Sequence, residues 1–248
     1  MMMGNGFLPQ IAGGVSPAII PNCQLWLDAN DPGTLWADIN ATTPATSTIQ
    51  RWNDKSGNER HATEATTPPV IGNIGGKTAV SYTSGAQRLL VNIPLNLAHG
   101  TIFLVGKRSN DTSRCAFLND SGSSAWMKFS INSWEATADY VSNFIIGNTT
   151  ATATLNGEIG FNASNILDAV IISGIWSATD NNLKTYRNGV LISNVTGTAP
   201  GWVVSQLNIG GSNYNQLRGS IGEIAIYNRR LSAVEHNQLI DYLVRKWT

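Results

Sequence analysis

The stretch Leu217–Trp247, LRGSIGEIAIYNRRLSAVEHNQLIDYLVRKW, decides the fold. Its first half, GSIGEIAIYN, has the alternation of a half-buried β-strand. This alternation places Ile224 and Ile226 on one face of the strand and three residues on the other face: Ile221, Glu223 and Tyr227. Its second half changes to the period of a helix, so the segment predicts a strand followed by a short helix.

The helix carries its own start and stop signals. Ser232 is the predicted N-cap, and Glu235 three residues later completes a capping box. Positive charge in the last turn suits the helix dipole. One apolar stripe recurs at positions i, i+3, i+4 and i+7: Ile240, Leu243, Val244 and Trp247. Because so short a helix is marginal alone, we expect it to bury this stripe against the strands.

Strands dominate the chain before this segment. QLWLDA alternates, TIFLVGKR and DAVIISGIW are apolar enough to be buried strands, and WVVSQLNIGGS is a further strand. Within KTYRNGVLIS, Asn188-Gly189 predicts a two-residue type I′ hairpin turn, because both turn positions need positive φ. Short strands separated by Gly, Asn and Thr turns favour a two-sheet antiparallel sandwich without internal repeats or a second domain.

The composition excludes some classes of partner. Hydrophobic residues make up 42% of the 248 residues and charged residues only 13%, with 16 basic and 16 acidic side chains. Without net charge, neither nucleic acid nor an anionic membrane is an expected partner, and no apolar run is long enough to insert into a bilayer. Two free buried thiols are the favoured interpretation of Cys23 and Cys115, with a disulfide left open.

Residues 1–22 differ from the rest and predict an extended arm in front of one domain at 23–248. Pro and Gly interrupt every apolar run, and no Lys or Arg occurs before Arg51, so a secretory signal is not expected. The arm could pack on its own domain or dock on a partner, and both alternatives stay open. Its candidate docking residues are Phe7, Leu8, Ile11, Val15, Ile19 and Ile20.

Four motifs follow one another along the chain. Three are LWLDANDPGTL (Leu25–Leu35), RWNDKSGNERHATEAT (Arg51–Thr66) and the hairpin YRNGVLI. The fourth is the closing block, with Ile209–Gly211, Gly219, Ile221, Glu223, Ile226–Tyr227, Leu231–Ser232, Glu235 and Lys246–Trp247. Together they resemble the laminin-G-like, concanavalin A-like jelly-roll domains of bacterial and bacteriophage proteins. The resemblance implies an all-β, two-sheet jelly roll with its first and last strands adjacent. It also implies that the C-terminal helix closes one end of the sandwich.

Fold alone does not assign activity, and the residues do not favour an enzyme. Glycosidases need two opposed carboxylates. Glu135 and Asp139 would share a strand face if extended, but solvated loop carboxylates are the simpler interpretation. The three histidines follow no catalytic pattern, and His61 is expected to stabilise a turn. No serine or cysteine nucleophile motif occurs.

Calcium is the cofactor to consider, because many relatives of this fold bind it near the rim, although no metal site is assigned. Oxygen-rich candidates are Asp28, Asp31, Asp54 and Asp120. Side chains that bond turn amides explain Asp31 and Asp54 equally well. Ser220 stands where relatives often have Asp, which weakens the case for a metal.

Aromatic residues near polar side chains are the candidates for glycan contact. Trp26, Trp52 and Trp247 belong to the fold motifs and are predicted to be core. The surface candidates lie in Gly-, Ser- and Asn-rich surroundings: Trp126, Trp134, Tyr140 and Trp202.

Two hypotheses for function follow. In the first, the chain is a non-catalytic structural component of a bacteriophage virion, as a capsid decoration or a tail or fibre-associated protein, bound to other virion proteins through residues 1–22. In the second, it is a glycan-binding adhesion module on a bacterial surface or in a secreted protein. A host-surface glycan suits both hypotheses, and homo-oligomerisation is left open.

Overall fold

We describe the fold from a computed structural model, which covers residues 15–64, 66–84, 86–109, 115–120, 129–136, 139–147, 154–159, 168–197, 203–211 and 217–248. Two short 3-10 helices, Pro17–Ile19 and Pro32–Thr34, flank the first strand, and one α-helix, α1, spans Ala233–Trp247. In chain order the strands are β1 (Cys23–Asp28), β2 (Leu35–Trp36), β3 (Arg51–Trp52), β4 (Ala62–Thr63), β5 (Val70–Ile74), β6 (Lys77–Tyr82), β7 (Leu89–Asn96), β8 (His99–Arg108), β9 (Cys115–Asp120), β10 (Phe129–Ala136), β11 (Asp139–Gly147), β12 (Thr154–Glu158), β13 (Val170–Ser177), β14 (Asn182–Arg187), β15 (Val190–Thr196), β16 (Val203–Ile209) and β17 (Gly219–Tyr227).

The strands form two antiparallel sheets. Sheet A has the order β15-β14-β13-β8-β17-β6-β5, with β1 also paired to β17. Sheet B has the order β12-β11-β10-β9-β16-β7-β4-β3-β2. The predicted jelly-roll sandwich is therefore confirmed. The first and last strands are adjacent, since Trp26 of β1 pairs with Ala225 of β17.

The main core lies between the two sheets. Alternate residues of β8, such as Ile102 and Leu104, face sheet B, and alternate residues of β7, such as Val91 and Ile93, face sheet A. Trp52 lies in this core and is fully buried. Burial of each such large side chain contributes about 1.5–3 kcal/mol, which holds the two sheets together.

A second apolar layer lies on the outer face of sheet A, beneath α1. Phe103 and Val105 of β8 point outward and contact a cluster that includes Leu239, Leu243 and Trp247 of α1. The expectation that the helix closes one end of the sandwich is therefore wrong. The helix lies across a sheet face because β8 and β13 are apolar on both sides, and both sides need a cover.

The strand β17 contains a β-bulge that the alternation did not predict. Pairing with β8 shifts register between Ile221 and Glu223. The extra residue, Gly222, returns Ile221 to the inter-sheet core beside Ile224, whereas Glu223 points outward beneath α1. The predicted grouping of Ile221 with Glu223 is thus wrong.

Two local predictions are confirmed. Asn188 and Gly189 have φ angles of 49° and 80°, as a type I′ turn between β14 and β15 requires. Ser232 accepts a hydrogen bond from the Glu235 backbone and the Glu235 side chain accepts from the Ser232 backbone, which completes the capping box. Within the described part of the chain, no helix has the length and apolar character that crossing a bilayer requires.

The end of the predicted arm packs on its own domain. Ile20 is 4% exposed, and Val15 contacts the cluster beneath α1. The Tyr227 hydroxyl donates a hydrogen bond to the Pro17 carbonyl at 2.8 Å. Ile19 points away from the domain and is 60% exposed. The other docking candidates, Phe7, Leu8 and Ile11, lie outside the described residues, so docking on a partner stays a prediction.

Candidate functional site

A buried carboxylate, Glu223, connects α1 to the outer face of sheet A. Glu223 is 1% exposed, and its Oε1 accepts hydrogen bonds from Trp26 Nε1 at 2.8 Å and the Tyr242 hydroxyl at 3.0 Å. Its Oε2 accepts from Lys246 Nζ at 2.8 Å and Trp247 Nε1 at 2.7 Å. Burial and the Glu223 charge raise the pKa of Tyr242, so the phenol keeps its proton and donates. Four donors fill about the whole acceptor capacity of a carboxylate, which leaves none for a substrate.

Ion pairs extend this network to the front of the chain. Lys246 Nζ lies 2.6 Å from Asp28 Oδ1, and Lys55 Nζ lies 3.0 Å from Asp28 Oδ2 and 2.8 Å from Asp31 Oδ2. Lys55 also stands 4.2 Å from the centre of the Trp26 ring. The hydrogen bond from Lys55 lowers the pKa of Asp31. The network therefore joins residues of the opening and closing motifs, and its role is to hold the last helix in place.

The second motif forms a turn organised by Asp54. Its carboxylate accepts hydrogen bonds from the backbone amides of Trp26 at 2.9 Å, Ser56 at 2.9 Å and Arg60 at 3.1 Å. The Asp54 amide in turn donates to His61 Nδ1 at 3.1 Å. The expectations that Asp54 bonds turn amides and that His61 stabilises a turn are confirmed.

The calcium candidates already have partners. Asp31 accepts a hydrogen bond from the Gly33 amide at 3.1 Å, as the turn interpretation predicts. Asp28 and Asp31 face ammonium groups where a calcium site needs carboxylate oxygens free to bind the ion. Asp120, at the end of β9, is buried. Among the described residues, no group of three or more His, Cys, Asp or Glu side chains is arranged to hold a metal ion.

A serine and a histidine share a hydrogen bond beneath α1, but no substrate can reach them. Ser173 Oγ lies 2.9 Å from His236 Nε2, and the two residues are 0% and 2% exposed. The His236 ring packs between Tyr186 and Phe103, with ring centres 4.4 Å and 5.3 Å away. Burial lowers the pKa of His236, which favours the neutral imidazole. The pair belongs to the packing of the helix.

The hairpin of β10 and β11 separates the two carboxylates that were considered for catalysis. Glu135 pairs with Tyr140, and Asp139 pairs with Ala136, so the two acids stand on different strands at neighbouring ladder positions. The segment is therefore not one extended strand, which was the condition for a shared face. Of the aromatic candidates, Trp134 pairs with Val141 and Tyr140 pairs with Glu135 in the same hairpin. Trp126 and Trp202 lie outside the described residues.

The outer face of sheet B is the candidate recognition surface. Helix α1 covers the central strands of sheet A, and no helix covers sheet B in the described part of the chain. Inward residues of β7 and β16 belong to the core, so the alternate residues point outward. We define the β7–β16 surface by six outward side chains, all exposed or half-buried: Asn92, Pro94, Asn96, Val203, Ser205 and Gln206.

The β7–β16 surface combines amides with apolar groups. Gln206 Nε2 donates a hydrogen bond to Asn92 Oδ1 at 3.0 Å across the two strands. Within the described part of the chain, the second N–H of Gln206, its Oε1 and both N–H groups of Asn92 remain for other contacts. Val203 is 57% exposed, and Pro94 is exposed on the neighbouring strand. Such a surface can hydrogen-bond hydroxyl groups and cover an apolar face in the same ligand.

Sequence reasoning missed both this surface and the Glu223 network, although each left a signal. The alternation in LLVNIPLN places every second residue of β7 outward, which would have identified Asn92 and Pro94. The network consists largely of residues from the matched motifs: Trp26, Asp28, Glu223, Lys246 and Trp247. The prediction of glycan contact rested on aromatic residues and therefore did not include the amide side chains of β7.

No family model and no curated protein matches the chain. Solved structures do match. Domain 4 of AbnA, an extracellular arabinanase from Geobacillus stearothermophilus solved with arabinotriose, matches with a TM-score of 0.60 and 14% identity. That match covers 89% of this chain and 97% of the AbnA domain.

Two further matches are parts of larger proteins. The binding domain of botulinum neurotoxin DC, in complex with SialylT, matches with a TM-score of 0.63 and 12% identity over 92% of this chain. Trypanosoma rangeli sialidase in complex with the inhibitor DANA matches with a TM-score of 0.58 and 14% identity over 93% of this chain. The chain spans 52% of the neurotoxin fragment and 35% of the sialidase. At these identities the similarity shows the β-sandwich fold.

Proposed function

We propose that the chain is a non-catalytic recognition module that binds a glycan through the β7–β16 surface. The observation that supports this most is the amide pair of the exposed Asn92 and the half-buried Gln206 on the outer face of sheet B, which α1 does not cover. Amides pair well with sugar hydroxyls because both groups donate and accept. The fold-level neighbours include proteins solved with arabinotriose and sialic acid, which is compatible with this proposal.

The absence of catalysis is part of the same proposal. The carboxylate best placed by burial, Glu223, has both oxygens occupied by donors. The Ser173–His236 pair is closed to solvent. A catalytic site needs a group that can reach the reacting atoms, and neither cluster offers one.

Glycan binding is tested with alanine variants and a matched control pair. The full chain is screened on a glycan array, and the best ligand is titrated by calorimetry against Asn92→Ala and Gln206→Ala. The Asn182–Asn194 pair is the control, because it is an exposed cross-strand amide pair on sheet A, with 3.5 Å between Nδ2 and Oδ1. We expect each surface variant to lose about tenfold in affinity, the worth of about one hydrogen bond. Asn182→Ala should bind normally.

Two other results would be informative. Loss of binding in Trp134→Ala or Trp126→Ala with normal binding in Asn92→Ala would keep a glycan-binding function but move the site to the aromatic candidates. No binding across the array would refute the function.

A second candidate role is display on a virion, with the arm as its attachment. This proposal is supported by the apolar, uncharged sequence of residues 1–14 and by the exposed Ile19 beside it. Deletion of residues 1–22 would also remove Ile20 and the Pro17 carbonyl, which bind the domain. Deletion of residues 1–14 is the sharper test: the sandwich should fold with unchanged stability and fail to join the particle. Normal incorporation would contradict anchoring.

A further inference from the structure

We propose that the β7–β16 surface selects uncharged oligosaccharides over sialylated, sulfated or phosphorylated ones; this rests on the proposed glycan-binding function. None of the six side chains that define the surface is ionisable, and among them only amide and hydroxyl groups form hydrogen bonds. Sugars of both kinds occur in the structures of similar fold, so fold similarity does not decide between them.

Among the residues that the structure describes, the two arginines that share this sheet face are already engaged, and they lie away from the surface. Arg88 Nε donates to Glu64 Oε2 at 3.0 Å, and Glu64 neutralises its charge. Arg51 donates to Asn53 Oδ1 at 2.7 Å and to the Ile39 carbonyl at 2.9 Å. It belongs to β3, two strands beyond β7, which is about 10 Å at the usual strand spacing. Neither arginine can pair with an acid held over Asn92.

Because desolvation of a charge is costly, the lack of a cation among the six described side chains of this surface determines which ligands it can bind. A carboxylate or sulfate that leaves water for a surface without positive charge loses hydration and gains only neutral hydrogen bonds. A hydroxyl group has a much smaller desolvation cost, and it offsets that cost when it donates to Gln206 Oε1 or accepts from Asn92 Nδ2. The described part of this surface therefore disfavours acidic sugars and accepts neutral ones.

The apolar members of the surface fit the same ligand class. Pro94 and Val203 lie beside the amides on adjacent strands, and Val203 pairs with Asn96. An oligosaccharide presents C–H groups on the faces of its rings and hydroxyl groups at their edges, which matches this arrangement. From Leu90 to Asn96 the strand β7 runs for about 20 Å, enough for several sugar units.

The test compares each neutral glycan with its acidic derivative. Lactose, arabinotriose and the neutral glycans that bind on the array are titrated beside 3′-sialyllactose and sulfated counterparts, in about 20 mM and about 500 mM NaCl. We expect neutral glycans to bind with an affinity that salt changes by less than about twofold, because no ion pair is present to be screened. Each acidic derivative should bind at least about tenfold more weakly than its neutral parent. Asn92→Ala should weaken neutral binding, and Arg51→Gln should not change it.

The outcomes separate the two proposals. Preferential binding of acidic glycans that weakens with salt, or that disappears in Arg51→Gln, would overturn the neutral-ligand inference and leave glycan binding intact. Binding to no glycan would overturn both. Thermal unfolding of each variant confirms that the exposed substitutions have not altered the fold.

Discussion

Replacing Glu223 with Gln tests whether the buried network holds α1 on the sheet. In the better of the two amide orientations, Oε1 still accepts from Lys246 and Trp247, and Nε2 faces Trp26 Nε1 and the Tyr242 hydroxyl. The hydroxyl can reverse its role and accept, but the indole N–H cannot. One buried donor is therefore left without a partner, which costs about 1–3 kcal/mol. The bond from Lys246 also loses its charged acceptor, at about 1 kcal/mol.

We therefore expect Glu223→Gln to lower the free energy of unfolding by about 2–4 kcal/mol. Urea denaturation followed by tryptophan fluorescence measures this loss. Glu158→Gln is the matched control, because the Glu158 side chain is exposed at the edge of sheet B. That variant should stay within about 0.5 kcal/mol of the parent.

A double-mutant cycle identifies the cause of the loss. In a Trp26→Phe background no indole N–H remains to be orphaned, so the cost of Glu223→Gln should fall by about 1–2 kcal/mol. A loss below about 1 kcal/mol, or the same loss in both backgrounds, would refute the reasoning from unpaired donors.

Three other predictions concern stability. Burial lowers the pKa of His236 below its usual 6.5, so the contribution of the neutral imidazole to stability should be fully present above pH 6.5 and lost as the pH falls below 6.5. Urea denaturation at several pH values should show this decrease in the free energy of unfolding. A pH dependence that is the same in His236→Gln would contradict the prediction. Gly174→Ala would drive a methyl group into the Phe144 ring and should lower the free energy of unfolding by about 1–3 kcal/mol. Gly33→Ala is the control and should cost much less, because the added methyl group would make only ordinary contacts. Equal losses of stability in thermal unfolding would contradict this prediction. Gly189→Ala forces alanine to a φ of 80° and should lower the free energy of unfolding by at least about 1 kcal/mol. Thermal unfolding checks this loss, and an unchanged unfolding midpoint would contradict the expected strain in the turn.

Local chemistry made much of the fold predictable. Asn188-Gly189 specifies its turn without help from distant residues, because few other pairs adopt positive φ twice. Ser232 and Glu235 likewise specify the start of α1 within a single turn. These short-range signals, together with the four motifs, identified a jelly roll ending in a helix.

The position of the helix and the face of Ile221 could not be predicted in the same way. A bulge at Gly222 interrupts the alternation of faces along β17. A prediction that assumes strict alternation therefore assigns the wrong face to the residues on one side of the bulge. The side chains that donate hydrogen bonds to Glu223 come from both ends of the chain, so no local sequence pattern predicts them. The candidate recognition surface depends on which sheet face α1 leaves open, and that depends on tertiary packing.

The Glu223 network also has a consequence for synthesis on the ribosome. Trp26 and Glu223 are 197 residues apart. At about 5–20 residues per second, translation takes roughly 10–40 s to cover that distance. Throughout this interval β1 lacks its partner strand β17, and an unpaired nascent strand is exposed to mispairing and to capture by chaperones. Completion of the domain is therefore expected to follow, rather than accompany, the translation of its last helix.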